Sequence, residues 1–196
     1  MTEPQPTRSG PGGVSWRAVA IGFALALAWA GYLAVFGPSG GEGGLEPPRL
    51  GGGSATAGPV DVAWTLSDLD GKPVEFASFR GRPILLNLWA TWCPPCVAEM
   101  PSIAKLAADP RMKDVAVVCV SVDGSRQAPR RYAEGKGWAM TMLHATGVPD
   151  PFLTDGIPAT FIIDPSGRVV ASEMGAARWD DPSVFDYFAR WSAPAK

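Results

Sequence analysis

The chain has 196 residues, with 17 Lys and Arg against 19 Asp and Glu, for a net charge of −2. That length holds one domain with appendages, and the near-neutral charge carries no basic footprint for nucleic acid. Three cysteines are too few for a disulfide scaffold, whereas one close pair plus an odd cysteine suits redox chemistry.

Residues 1–15 are polar and rich in Pro, Gly and Thr, and are predicted to be a disordered tail. Residues 16–36 read as a single transmembrane helix. The 19 residues from Ala18 to Phe36 carry no charge, and Trp16 and Tyr32 suit the two interfaces. A cleaved signal peptide is the alternative: Ala28-Trp29-Ala30 fits A-x-A, although the uncharged run is longer than an ordinary signal core. Arg8 and Arg17 precede the segment and no basic residue follows until Arg49. The tail is therefore expected in the cytoplasm, and all that follows residue 36 on the periplasmic or equivalent side of the inner membrane. That compartment is oxidising, so a dithiol there must be kept reduced actively if it is to reduce others. Residues 37–58 read as a flexible Gly/Pro-rich linker, and 59–196 as the folded domain.

Within the domain, Val62–Leu66 and Val74–Phe76 read as short strands joined through Asp70-Gly71. Ile84–Ala90 reads as a central parallel strand, apolar on both faces. A helix is predicted over 93–108, ending near Asp109-Pro110, then a buried strand over Val115–Val122 and a helix over Arg126–Gly135. Trp138–His144 is ambiguous between strand and loop. Ala159–Asp164 and Arg168–Glu173 form a hairpin around Asp164-Pro165-Ser166-Gly167. Asp181-Pro182 opens a last helix with Val184, Phe185, Phe188 and Trp191 on one face. The central β-α-β order makes one strand pair parallel, giving an α/β domain.

The chemistry centres on Trp92-Cys93-Pro94-Pro95-Cys96, at a junction of buried strand and amphipathic helix. Cys93 falls at the helix start and Cys96 one turn inside, close enough for a disulfide. Unpaired N–H groups and the positive dipole end favour a thiolate at Cys93. Cys93 is thus the expected exposed nucleophile, and Cys96 the sheltered thiol that resolves a mixed disulfide. Glu99 lies three residues beyond Cys96. It reads either as a solvated helix residue or as a carboxylate that relays protons to the thiols.

These residues resemble the thioredoxin fold, and more closely the TlpA/ResA-like membrane-anchored thiol–disulfide oxidoreductases. The resemblance runs from about Pro59 to Trp191. It is carried by Trp89, Ala90, Trp92, Cys93, Cys96 and Pro101, by Ile157-Pro158-Ala159-Thr160, and by the opening hairpin at 67–74. It implies a central mixed sheet flanked by helices, and a cis Pro158 whose loop leaves backbone groups of Ile157 and Ala159 open to a substrate strand. It places Trp92, Pro94, Pro95, Ile157 and Pro158 around the substrate, with Trp89 packing behind. It also implies protein thiol or disulfide substrates, including apocytochrome c before haem attachment, and a membrane electron donor of the thiol–disulfide type. No cofactor beyond the Cys93–Cys96 pair is implied. One departure stands out: typical members carry a buried acid six residues before the first cysteine, where this chain has Asn87.

Two other readings remain. One is a general periplasmic reductase or oxidase. The other is a metal-binding or metallochaperone module built on Cys93, Cys96 and His144, with Cys119 as a further ligand. Cys119 lies mid-strand, where a packed apolar cysteine is ordinary, and His144 is the lone histidine.

Overall fold

The computed structural model describes residues 44–51, 60 and 63–191. The predicted tail, the apolar segment and most of the predicted linker lie outside these residues. Among the described residues no helix is long and apolar enough to cross a membrane. Contacts divide the chain into two units, and the second, Leu45–Lys196, holds the fold.

Its centre is β3 (Ile84–Trp89), buried at every position. Successive strand residues face opposite sides, so a strand covered on both needs apolar residues in both alternate sets. Ile84, Leu86 and Leu88 enter one core, and Leu85 and Trp89 the other. Asn87 is the one polar interruption. β4 (Ala116–Ser121) pairs with β3 in parallel and β5 (Thr141–His144) continues in parallel beyond it. On the other edge of β3, β6 (Ala159–Ile163) and β7 (Val169–Met174) run antiparallel. β3 is therefore parallel on one edge only and forms the seam of a mixed sheet. The crossover to β4 forces the parallel pairing.

β1 (Thr65–Asp68) and β2 (Pro73–Glu75) complete the seven-stranded order β2-β1-β5-β4-β3-β6-β7. Phe76, expected at a strand end, opens a 3₁₀ turn over Phe76–Phe79 that buries both Phe rings. Their turn at Gly71 has φ 95°, which an L side chain resists, and Asp68 Oδ1 accepts from the Asp70 and Lys72 amides. The ambiguous stretch resolves into β5, with Trp138 outside it and its ring tilted against Tyr132.

Among the described residues the α-helices are α1 (Pro94–Ala108), α2 (Gln127–Ala133) and α3 (Pro182–Ala189). α2 is shorter than expected, and Gly135 at φ 71° follows its end. Trp191 lies past α3 but keeps ring contact with Tyr187 and Phe188. All three helices join the core on a single face of the sheet, through residues such as Met100, Ile103, Tyr132, Val184 and Phe188. The opposite face is closed by Trp64, Phe76, Phe79 and Phe152, whose rings meet at 5.6–6.1 Å. The sheet is therefore not helix-flanked on both sides among the described residues. Aromatic side chains from the opening hairpin and a loop do that work.

The fold also reaches back into the predicted linker. Pro48 and Leu50 are buried, the Arg178 amide donates to Glu46 O at 2.8 Å, and the Arg49 amide donates to Glu173 Oε2 at 2.6 Å. A Gly/Pro-rich average conceals two apolar residues with places to pack.

Candidate active site

The strand-to-helix junction is built by a turn and a cap. The Cys93 amide donates to Ala90 O at 3.2 Å, turning the chain out of β3. Cys93 is then the N-cap of α1, with Pro94 and Pro95 in the first turn, where no intrahelical amide is lost. Cys93 and Cys96 form a disulfide with Cα atoms 5.3 Å apart. The Cys96 amide points at Cys93 Sγ from 3.3 Å, the contact that would stabilise a Cys93 thiolate.

Cys93 is less accessible than the sequence suggested. It is 4% exposed, against 0% for Cys96, so the order of shelter holds but neither sulfur stands open. Cys93 Sγ lies 3.7 Å from Ile157 O. Trp92 is 66% exposed, and Pro94 and Pro95 are exposed beside it. The Ile157–Pro158 peptide is cis. A cavity of about 380 Å³ runs between Thr154–Pro158 and Met174–Gly175. Ala159 is not open to a partner chain as expected: it is the first rung of β6, opposite Leu88 and Met174. Pro158 O accepts from the Gly175 amide at 2.9 Å. The edge left for an extended chain is at Ile157.

Glu99 is not solvated. It is fully buried on the inner face of α1, with Cys96, Met100 and Ile103. Three N–H donors meet its carboxylate: Asn87 Nδ2 at 2.8 Å on Oε1, and the Ala177 amide and Trp179 Nε1, both at 3.0 Å, on Oε2. Burial raises its pKa above the usual 4.5, the three hydrogen bonds oppose that rise, and the charge of Glu173 adds a little to it. Asn87, standing where related folds carry an acid, thus touches the acid supplied by the helix. Its amide also donates to Thr160 Oγ1 at 2.9 Å, and its Oδ1 is buried without a partner.

A second polar network, which sequence reading missed, fastens the turn before Cys93. Asp123 accepts from the Thr91 amide at 3.0 Å, the Thr91 hydroxyl at 2.6 Å and the Ser121 hydroxyl at 2.7 Å. His144 Nε2 donates to Asp123 O at 2.8 Å. The available signal was position: Asp123 follows β4 at the carboxyl end of the parallel strands, where α/β sheets place their sites. Trp179 and Ala177, 78 or more residues beyond Glu99, gave no local signal.

The ligands of the alternative, metal-binding reading do not form a site. Cys119 Sγ packs 3.6 Å from Met140 Sδ and its thiol pKa is pushed far up by burial. Among the described residues no group of three or more His, Cys, Asp or Glu side chains could hold a metal ion.

A redox-active pair at the head of a helix, beneath a cis-proline loop at the edge of a mixed sheet, defines a thioredoxin-fold dithiol protein. Residues 54–187 match the Redoxin family, and the chain belongs to it. Thiol-disulfide oxidoreductase ResA of Bacillus subtilis (strain 168) is 31% identical over 126 residues, covering 63% of this chain and 69% of that one. ResA of Geobacillus thermodenitrificans (strain NG80-2) is 31% identical over 130 residues, covering 65% and 75%. The crystal structure of a thiol:disulfide interchange protein from Chlorobium tepidum TLS has a TM-score of 0.55 at 27% identity, covering 70% and 98%. The protein is a thiol–disulfide oxidoreductase of the ResA and thioredoxin type.

Proposed function

We propose that the protein reduces disulfides in extracytoplasmic protein substrates, held at the inner membrane by residues 16–36. The observation that carries the reading is the Cys93–Cys96 disulfide at the head of α1, with Ile157 O beside Cys93 and buried Glu99 behind Cys96. In the reduced protein the Cys93 thiolate attacks a substrate disulfide, forming a mixed disulfide and releasing one substrate thiolate. The Cys96 thiol gives its proton to Glu99 and attacks Cys93 Sγ. The second substrate sulfur leaves as a thiolate, and the Cys93–Cys96 disulfide closes. The substrate has gained two electrons, which a membrane donor of the thiol–disulfide type restores to the pair.

An extended substrate lies along the Ile157–Pro158 edge, bordered by Trp92, Pro94 and Pro95. Such a chain presents backbone groups to an open edge and its cysteine to Cys93. An apocytochrome c segment meets this description, since its C-x-x-C-H cysteines must be reduced for haem attachment. The uncharged run after Arg8 and Arg17 supports the membrane placement.

Trapping tests the proposal. Cys96→Ser should accumulate covalent complexes that dissolve under reductant, and Cys93→Ser should be inactive and trap little. A trapped c-type apocytochrome would support the maturation role, and a broad set of secreted proteins a general reductase. Trapping by Cys93→Ser alone would reverse the two roles. An alkaline phosphatase fused after Lys196 should be active, and an inactive fusion of normal abundance would overturn the orientation.

A further inference from the structure

We propose that the segment Leu45–Leu50, which precedes the domain as its sequence delimits it, is a strap that covers the loop holding Glu99 and keeps water from that carboxyl. The loop between β7 and α3 supplies two of the three donors to Glu99, the Ala177 amide and the Trp179 indole. The strap grips both the end of β7 and this loop. On one side the Arg49 amide donates to Glu173 Oε2 at 2.6 Å, and on the other Glu46 O accepts from the Arg178 amide at 2.8 Å. Between those bonds Pro48 is buried, and Leu50, 8% exposed, joins the core that contains Cys93, Cys96, Ala177 and Trp179.

From the other direction α1 holds the same loop. The Trp179 amide donates to Ser102 Oγ at 3.0 Å, and that hydroxyl donates to Glu99 O at 2.8 Å. Loosening the strap therefore leaves the loop's donors near Glu99 while opening the region to water. The ionisable groups that bear on Glu99 are Glu173 on β7, Cys119 on β4 and, once reduced, Cys96 on α1. Arg178 is engaged with Asp181 at 2.6 Å and Lys105 with Asp180 at 3.3 Å. Burial is the largest influence on Glu99 and the charge of Glu173 the smallest, so admitting water outweighs releasing Glu173.

The strap's effect on exchange rests on the proposed role of Glu99 as proton carrier; its effect on the carboxyl itself does not. The experiment therefore reads both. The Glu99 carboxyl is followed by carbon NMR in the full chain, assigned by its loss in Glu99→Gln, alongside the pH–rate profile of exchange. Leu50→Ser should move the Glu99 midpoint down towards the ordinary carboxylate range. Replacing Pro47 and Pro48 by Gly, which loosens the strap with Leu50 intact, should move it the same way by less. Arg49→Ala keeps the amide donor and should overlay wild type. A midpoint that moves while the exchange profile stays fixed supports the strap and removes Glu99 from the mechanism. A midpoint unmoved in both the Leu50 and the proline variants overturns the strap.

Discussion

Two buried carboxylates flank the disulfide, and each accepts three hydrogen bonds, yet their surroundings differ. Asp123 is 5% exposed at the strand ends and takes two of its three bonds from hydroxyls, on Thr91 and Ser121. Hydroxyls can donate or accept as needed. Glu99 is fully buried and meets only N–H donors. Two of these, a backbone amide and an indole, can never accept. The third belongs to Asn87, whose carbonyl oxygen is the unpartnered one. The lesson is that hydrogen-bond number does not decide a buried acid's part. Asp123 has a network that fastens a turn, whereas Glu99 sits where its proton changes the balance of burial against bonding.

The comparison breaks most visibly at Asp123. Asp123→Ala strands the half-buried Thr91 amide and hydroxyl and the buried Ser121 hydroxyl, and should cost about 3 kcal/mol of unfolding free energy, towards the low end of about 1–3 kcal/mol for each group left unpaired. Chemical denaturation measures it, and a loss under about 0.5 kcal/mol would mean that the turn holds itself.

Glu99→Gln should act through pH. Burial raises the folded-state pKa of Glu99, so the folded chain binds this proton more tightly than the unfolded chain. Its contribution is fully present below the unfolded value near 4.5 and is lost as pH rises through the raised folded value. Wild type should therefore lose stability relative to Glu99→Gln across that window, with a constant difference on either side. Denaturation midpoints of the two proteins from pH 4 to 8 test this, and parallel curves throughout would refute the raised pKa.

The smallest effect is expected from Thr91→Ser. It keeps both donors to Asp123 and should stay within about 0.5 kcal/mol of wild type, while Thr91→Val loses the hydroxyl bond and falls further. Equal losses for Ser and Val would assign the effect to the methyl group instead.

The sequence showed the site unevenly. Cys93 and Cys96 were legible because a buried strand, two prolines and an amphipathic helix lie consecutively in the chain. The burial of Glu99 was legible in principle: Cys96, Met100 and Ile103 mark an apolar stripe, and Glu99 falls on it at helical spacing. A charged residue on such a stripe suggests solvent only when each residue is weighed alone. Trp179 and Ala177 were not legible, because they reach Glu99 through sheet topology from far along the chain. The aromatic closure of the second face was also hidden, since Trp64, Phe76 and Phe152 carry no shared period.

Cys119 settles a different matter, the fidelity of pairing. Three thiols allow three disulfides, and two of these need Cys119. That residue is wholly buried in β4, opposite Asn87 of β3, and burial pushes its thiol pKa up, so little thiolate is present to attack the native pair while the sheet is intact. A mispaired isomer is then expected to follow opening of the sheet centre, which exposes the thiol. Its rate of appearance in stored protein is accordingly a clock for rare opening of the whole fold, running independently of the reaction that the native pair performs.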